Sequence, residues 1–194
     1  MKRSAFILIV ALSLLFGASA HDTVAGQPQA KARLANPAER DARTSMALAA
    51  EIRHQLLTLP YYGIFDWLEA DVKPDGTVTL RGEVVRPVTK SDAESRVKKL
   101  EGVKAVANEI EALPVSTFDD ETRVAIYRKL VREVGLEKYF LQAVPPVHII
   151  VKGGHVTLKG VVASAMDSQL AFTAASSVPN VFDVKNELRV EKGS

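Results

Sequence analysis

The sequence predicts an α+β protein made of two tandem αββαβ domains, each a small three-stranded sheet covered by two helices. The first observation behind this is an internal repeat. A shift of 78 residues aligns residues 72–112 with residues 150–190 at 11 identities in 41 positions, where about two or three would arise by chance. The second is that both copies pass through the same order of helical and alternating patterns. The third is the absence of cysteine, so ordinary hydrophobic cores must stabilise both domains.

The predicted organisation is a leader, a polar segment and the two domains. Residues 1–20 have a basic start, an apolar run and the small residues Ala18-Ser19-Ala20, which is the pattern of a signal peptide cleaved near Ala20. The apolar run is short for a permanent membrane anchor. The remaining parts are, in chain order, a flexible segment, the first domain, a linker and the second domain: residues 21–44, 45–114, 115–119 and 120–191.

Charge and composition exclude several classes of function. Without residues 1–20 the chain has 23 basic and 23 acidic residues, and a neutral chain is poorly suited to nucleic acid, so no nucleic-acid partner is expected. The chain has no catalytic or phosphate-binding motif, and its four histidines are dispersed. We therefore predict no catalytic residues, no metal site and no cofactor, and a small-ligand or ion sensor lacks a coordinating cluster.

The first domain begins with a helix. Asn36-Pro37 offers a cap followed by a proline at the first helical position, although the polar stretch that follows leaves a start as late as Ser45 open. The buried stripe of this helix is an apolar series at helical spacing, Leu48, Ile52, Leu56 and Leu59.

A hairpin and a second helix follow. Pro74-Asp75-Gly76 predicts a three-residue loop that pairs Val72 with Val78 and Ala70 with Leu80 on the core face. The second helix is predicted over Pro87 to Leu100, and the third strand over Val103 to Leu113. The inward residues of that helix are Ala93, Val97 and Leu100.

The second domain repeats this order. Asp119 or Asp120 is predicted to cap its first helix, which carries Val124, Tyr127, Val131 and Val134. A two-residue Gly153-Gly154 loop would pair Val151 with Val156 and Ile149 with Leu158. This register turns His148 and His155 to solvent, and we prefer it because burial of an unpaired imidazole costs free energy.

The last helix and strand of the second domain are predicted over Ser164 to Val178 and Val181 to Val190. Ser164 and Asp167 form a capping-box pair, and Asn180 closes the helix. The first domain's counterpart, residues 89–100, carries charges throughout, whereas residues 167–178 contain a single charged residue, Asp167.

The two copies resemble tandem BON domains. They share V-T-L-[RK]-G-x-V in the hairpin and V-x-N-E-[IL] in the final strand. Copy two departs from the usual Gly-Val before the last strand, since it has Pro179-Asn180-Val181. The resemblance implies a periplasmic, non-enzymatic protein that binds phospholipid membranes and supports the envelope under osmotic or other stress.

The paired motif residues are interpreted as structural. Gly82 and Gly160 stand inside strand patterns, which indicates a close backbone approach, here by a crossing helix. The Asn-Glu pairs are expected to anchor side chains to nearby backbone rather than to bind a ligand; they are Asn108, Glu109, Asn186 and Glu187.

The candidate binding residues lie on the apolar last helix: Met166, Leu170, Phe172 and Thr173. A helix that is apolar nearly all round is buried on two sides or meets an apolar partner, so packing against the first domain stays open beside a contact with lipid or protein. The expected partner is a phospholipid surface, bound weakly and peripherally. The alternative is a soluble protein-interaction or chaperone-like module that binds envelope proteins.

Overall fold

A computed structural model describes residues 36–191 as two αββαβ repeats. The predicted signal peptide and residues 21–35 of the predicted flexible segment lie outside these residues. The first repeat contains α1 (Pro37–Leu57), β1 (Trp67–Val72), β2 (Thr77–Val84), α2 (Pro87–Val97) and β3 (Ala105–Ala112). The second repeat contains α3 (Thr117–Arg132), a 3-10 turn (Glu137–Tyr139), β4 (Val147–Lys152), β5 (His155–Val162), α4 (Ala165–Ser176) and β6 (Asp183–Val190).

Each repeat has one three-stranded sheet, in the order β1-β2-β3 or β4-β5-β6. The hairpin strands are antiparallel, and the last strand is parallel to its neighbour because α2 or α4 carries the chain back across the sheet. Both predicted hairpin registers are confirmed, with Val72 opposite Val78 and Val151 opposite Val156. The predicted fold class is therefore confirmed.

Each repeat buries its own core between its sheet and its two helices. The first core is centred on aliphatic side chains of α1, β2, α2 and β3, namely Ile52, Leu56, Val78, Leu80, Ala93, Val97 and Ile110. The second is centred on side chains of α3, β4, β5 and α4, namely Ile126, Leu130, Ile149, Val151, Leu158, Ala171 and Ala175.

Helix α1 begins at Pro37, so residues 37–44 are helical and do not belong to the flexible segment predicted over 21–44. Proline at the first helical position needs no backbone donor, and its fixed φ suits the first turn. The start signal at Asn36-Pro37 was therefore the better guide than the polar composition of the residues after it.

The prediction that Asp119 or Asp120 caps α3 is wrong. The cap is Ser116, whose hydroxyl accepts a hydrogen bond from the Asp119 N–H at 3.2 Å. The buried Asp119 carboxylate instead accepts from the backbone N–H groups of Gly153 at 2.8 Å and Gly154 at 2.9 Å. Asp119 thus ties the start of α3 to the β4–β5 turn.

The residues of α3 that face the core differ from the apolar series noted in the sequence. Val124 and Val134 are exposed, and the residues that face the core are Ile126 and Leu130. The apolar residues of this helix form two overlapping series at helical spacing. The series that packs on the sheet is the one that contains Ile126 and Leu130. The series noted in the sequence supplies Tyr127, which flanks the core and contacts the first repeat.

The two repeats are joined by more than the linker. Residues 61–66, here called the inter-repeat loop, leave the first repeat and pack Ile64 and Phe65 against the second core. The Ile149 N–H donates to the Ile64 carbonyl at 2.8 Å. The outer faces of the sheets also meet, since Lys152 pairs with Glu111 and Lys159 with Glu83. A loop of the first repeat therefore completes the core of the second.

Candidate lipid- and partner-binding surfaces

The paired glycines are required by a neighbouring strand. Gly82 and Gly160 have φ values of 129° and 123°, and a Cβ on either would overlap a backbone carbonyl, that of Trp67 or Pro146. The predicted close approach is present, but the prediction that a helix makes it is wrong. Strand β1 lies against Gly82, and the chain that enters β4 lies against Gly160.

The two asparagines tie the last strand of each repeat to the helix above it. The Asn108 amide donates to the Lys90 carbonyl at 3.1 Å, and the Asn186 amide donates to the Ser168 carbonyl at 3.2 Å. Each Oδ1 also accepts from the N–H two residues later. The accompanying Glu109 and Glu187 lie on the outer sheet face and pair with cations, Arg81 in one repeat and Lys159 and Lys185 in the other.

Helix α4 packs on β6, β5 and α3 of its own repeat. Three of its alanines, Ala171, Ala174 and Ala175, are buried. Met166 is 79% exposed and Thr173 is exposed, whereas Leu170 and Phe172 are partly buried. Helical spacing places Leu170 and Phe172 on opposite flanks, so the structure does not bring the four predicted binding residues onto one face.

A second apolar surface stands at the β4–β5 turn. Phe182 is 69% exposed, and its ring lies 6.3 Å from that of Phe118, which is also exposed. The ring of His155 lies 5.9 Å from Phe182 and pairs with Asp183. We call Phe118 and Phe182 the aromatic pair. The sequence analysis did not identify them, because they are 64 positions apart in the chain and Phe182 lies in the turn between α4 and β6.

The inter-repeat loop is held by Asp66. Its buried carboxylate accepts from the Gly63 N–H at 2.9 Å and the Val85 N–H at 2.7 Å. Burial raises the pKa of Asp66, and these hydrogen bonds together with the Arg123 and Arg86 charges oppose the rise. The loop geometry therefore depends on a carboxylate enclosed between the repeats.

His148 is buried in the same contact, although the sequence predicted it in solvent. The predicted register is correct, with His148 opposite Lys159, but the first repeat covers this face of the sheet. The imidazole is 3% exposed and lies 5.5 Å from the Tyr62 ring and 5.2 Å from the Trp67 ring. Its Nδ1 has no hydrogen-bond partner within residues 36–191.

Burial lowers the pKa of His148 from its ordinary value of 6.5, against the opposing effect of the Asp66, Gly63 and Pro145 backbone. Since the unfolded chain then binds more protons than the folded one, the free energy of unfolding should fall as pH drops below about 6.5. The raised pKa of Asp66 has the opposite effect at lower pH. There the folded chain binds more protons than the unfolded one, so this group makes the free energy of unfolding rise as pH falls.

Urea unfolding between pH 8 and pH 5 tests this expectation. His148→Phe should remove most of the loss of stability below pH 6.5, whereas His54→Phe, which changes an exposed histidine of α1, should keep the wild-type profile. An unchanged profile in His148→Phe would contradict the role given to this imidazole.

A cleft of about 710 Å³ lies between the repeats. One wall is the α1 surface around Ala49 and Arg53 together with Leu68 to Ala70 of β1; the other is formed by residues 142–146 and Arg189. Its lining combines apolar side chains with the polar or charged side chains of Arg53, Glu69, His148 and Arg189.

Residues 36–191 contain neither a cluster of metal ligands nor a membrane-spanning helix. No group of three or more His, Asp or Glu side chains there could hold a metal ion. No helix in that range has both the length and the apolar character needed to cross a bilayer.

The BON domain family matches this chain twice, over residues 46–114 and 118–192. The chain belongs to the BON-domain family. Each match coincides with one αββαβ repeat, so the described part of the chain consists of two BON repeats in tandem.

The chain is also similar to solved structures at low sequence identity. No curated protein matches the chain. The C-terminal domain of CdsD, a structural protein of the type III secretion system of Chlamydia trachomatis, is similar at 13% identity and a TM-score of 0.27, over 74% of this chain and 96% of that chain. A second CdsD structure is similar at 13% identity and a TM-score of 0.29, over 76% of this chain and 94% of that chain.

The two BON repeats differ in the chemistry of their surfaces. At equivalent positions, Leu170, Phe172 and Phe182 of the second repeat replace Asp92, Glu94 and Lys104 of the first. All three replacements lie at least partly at the surface. On α4 and the turn that follows it, the second BON repeat therefore has apolar side chains where the first repeat has charged ones.

Proposed function

We propose that this BON protein is exported to the periplasm and binds phospholipid membrane surfaces, in support of the envelope under osmotic or other stress. It acts as a binding protein rather than an enzyme. Export rests on the leader pattern of residues 1–20, which lie outside the described residues. Membership of the BON family supports the lipid-binding class.

The observation that carries this proposal is the exposed apolar surface of the second repeat. The aromatic pair and Met166 leave three large apolar side chains in solvent, whereas the position of Phe182 is occupied by a lysine in the first repeat. Exposed aromatic side chains favour the membrane–water interface. Insertion of a few side chains without a basic strip gives weak and reversible binding.

Substitution of Phe182 should weaken membrane binding. Phe182→Ser is expected to lower the affinity for vesicles of phosphatidylglycerol and phosphatidylethanolamine about tenfold, because a partly inserted ring loses part of its burial energy. Val134→Ser, which removes an 89% exposed apolar side chain just after the C-terminal end of α3, should bind like the wild type. Co-sedimentation of the mature protein with vesicles measures both.

The contribution of α4 is measured in the same assay with its own control. Met166→Asp should weaken binding, whereas Val88→Asp, at the equivalent and also exposed position of α2, should not. Unchanged binding in Met166→Asp would remove α4 from the contact. Unchanged binding in both Phe182→Ser and Met166→Asp would contradict a membrane contact through the second repeat.

A further inference from the structure

The second repeat contains a groove that is already filled by a tight turn, in which the Asp66 N–H donates to the Gly63 carbonyl at 3.1 Å. This groove lies between α3 and the outer edge of β4, and Ile64-Phe65 of the inter-repeat loop occupies it. The Ile149 N–H donates to the Ile64 carbonyl at 2.8 Å. The Phe65 ring meets the Tyr127 ring of α3 edge-on at 6.5 Å. One main-chain hydrogen bond and two bulky apolar side chains thus hold the segment.

The first repeat has the same groove between α1 and β1. Ala70 lies opposite Leu80 as Ile149 lies opposite Leu158, so the Ala70 N–H points away from β2 at the edge of the sheet. On the helix, the 78-residue shift places Ala49 where α3 has Tyr127. Both Ala49 and Ala70 line the cleft between the repeats.

No described segment pairs with this edge of β1, and the sequence explains why. Counted back from the paired β-strands, Ala143-Val144 of the second repeat stands where the first repeat has Ile64-Phe65, and Pro145-Pro146 stands where it has Asp66-Trp67. The smaller side chains cannot fill the groove, and the prolines have no N–H to donate. Ala143 and Val144 are exposed.

We propose that the α1–β1 groove binds a peptide turn of another protein that carries two adjacent bulky apolar residues. The turn would accept a hydrogen bond from the Ala70 N–H, as Ile64 accepts from the Ile149 N–H in the second repeat, and would place its side chains beside Ala49 and Leu57. The charged side chains of the cleft are Arg53, Arg189 and Glu69, and their net positive charge favours a peptide with an acidic residue beside the apolar pair. This groove is separate from the lipid surface of the second repeat.

The probe is a synthetic peptide of residues 61–67, Tyr-Tyr-Gly-Ile-Phe-Asp-Trp, added to the mature protein. The backbone amide of Ala70 is expected to shift in NMR spectra on titration, and the isotherm gives the affinity. Ala49→Glu places a carboxylate in the groove and should lower the affinity at least tenfold. Ala50→Glu makes the same change on the adjacent exposed position of α1 and should stay within twofold of the wild type.

Several results would overturn the proposal. Equal binding of a peptide with aspartate in place of its isoleucine and phenylalanine would show that the apolar pair is not recognised. A shift at Ile149 instead of Ala70 would show exchange with the inter-repeat loop. Association of the protein with itself that Ala49→Glu abolishes would make the occupant a second copy. Loss of vesicle binding in Ala49→Glu would make it lipid.

Discussion

Gly160→Ala is expected to lower the free energy of unfolding by roughly 2–6 kcal/mol, which combines backbone strain with overpacking. The residue adopts a φ of 123°, and an added methyl group would overlap the Pro146 carbonyl oxygen. That oxygen also accepts from the Val161 N–H at 3.0 Å, so relief of the overlap would disturb the sheet. Gly82→Ala should behave similarly, since its Cβ would overlap the Trp67 carbonyl.

Gly153→Ala provides the control for this experiment. Gly153 also has a positive φ of 61°, but no atom lies within 4 Å of the added Cβ, so about 1–2 kcal/mol of left-handed strain is expected. Urea titration followed by circular dichroism measures all three variants. A loss in Gly160→Ala no larger than that in Gly153→Ala would show that the carbonyl contact yields easily.

The second large effect is expected at Arg123, which is 2% exposed although it carries a charge. Its Nη2 donates to the Val151 carbonyl at 2.6 Å, at the edge of β4, and its Nη1 pairs with Asp120. Arg123→Ala should lower the free energy of unfolding by roughly 3–5 kcal/mol, because it leaves a cavity and a buried carbonyl without a donor.

Arg123→Met separates packing from hydrogen bonding. The methionine side chain keeps most of the volume of the arginine stem, so only about 1–2 kcal/mol should be lost with the hydrogen bond. The same urea titration compares the two variants. Equal losses would show that packing of the stem contributes little, and a loss below 1 kcal/mol in Arg123→Ala would contradict the structural role of this residue.

Short-range chemistry made the hairpins and the start of α4 predictable. Proline, aspartate and glycine in one loop and two glycines in the other specify turns of defined length, and each length fixes which side chains share the core face. Ser164 accepts from the Asp167 N–H at 3.1 Å, as its capping pattern indicated. Asn180 takes a φ of 70° at the position that glycine fills in the first repeat.

Contacts between the repeats could not be predicted in this way. His148 lies in a correctly predicted register yet is buried, because the burial comes from Tyr62 and Trp67, more than 80 positions away. Arg123 is a charged residue in a helix, and such residues are ordinarily exposed. The burial of His148 depends on Tyr62 and Trp67 of the first repeat, for which a single-repeat pattern contains no signal.

The sequence predicted which repeat carries the candidate lipid surface, but it did not predict which residues form that surface. Loss of charge along residues 167–178 pointed to the second repeat. The orientation of α4, however, places Leu170 against the core and leaves Met166 in solvent. Phe182 stood outside every helical or strand periodicity, so only folding of the chain reveals its proximity to Phe118.

The position of Ile64 and Phe65 in the second core has a consequence for biosynthesis. A chain emerges from the ribosome with its N-terminal half first, and domains generally form in that order. Ile64 and Phe65 are therefore made before β4 and can serve as a template when that strand appears. An isolated C-terminal half would lack two of its apolar side chains, so we expect it to require the preceding half as an intramolecular chaperone.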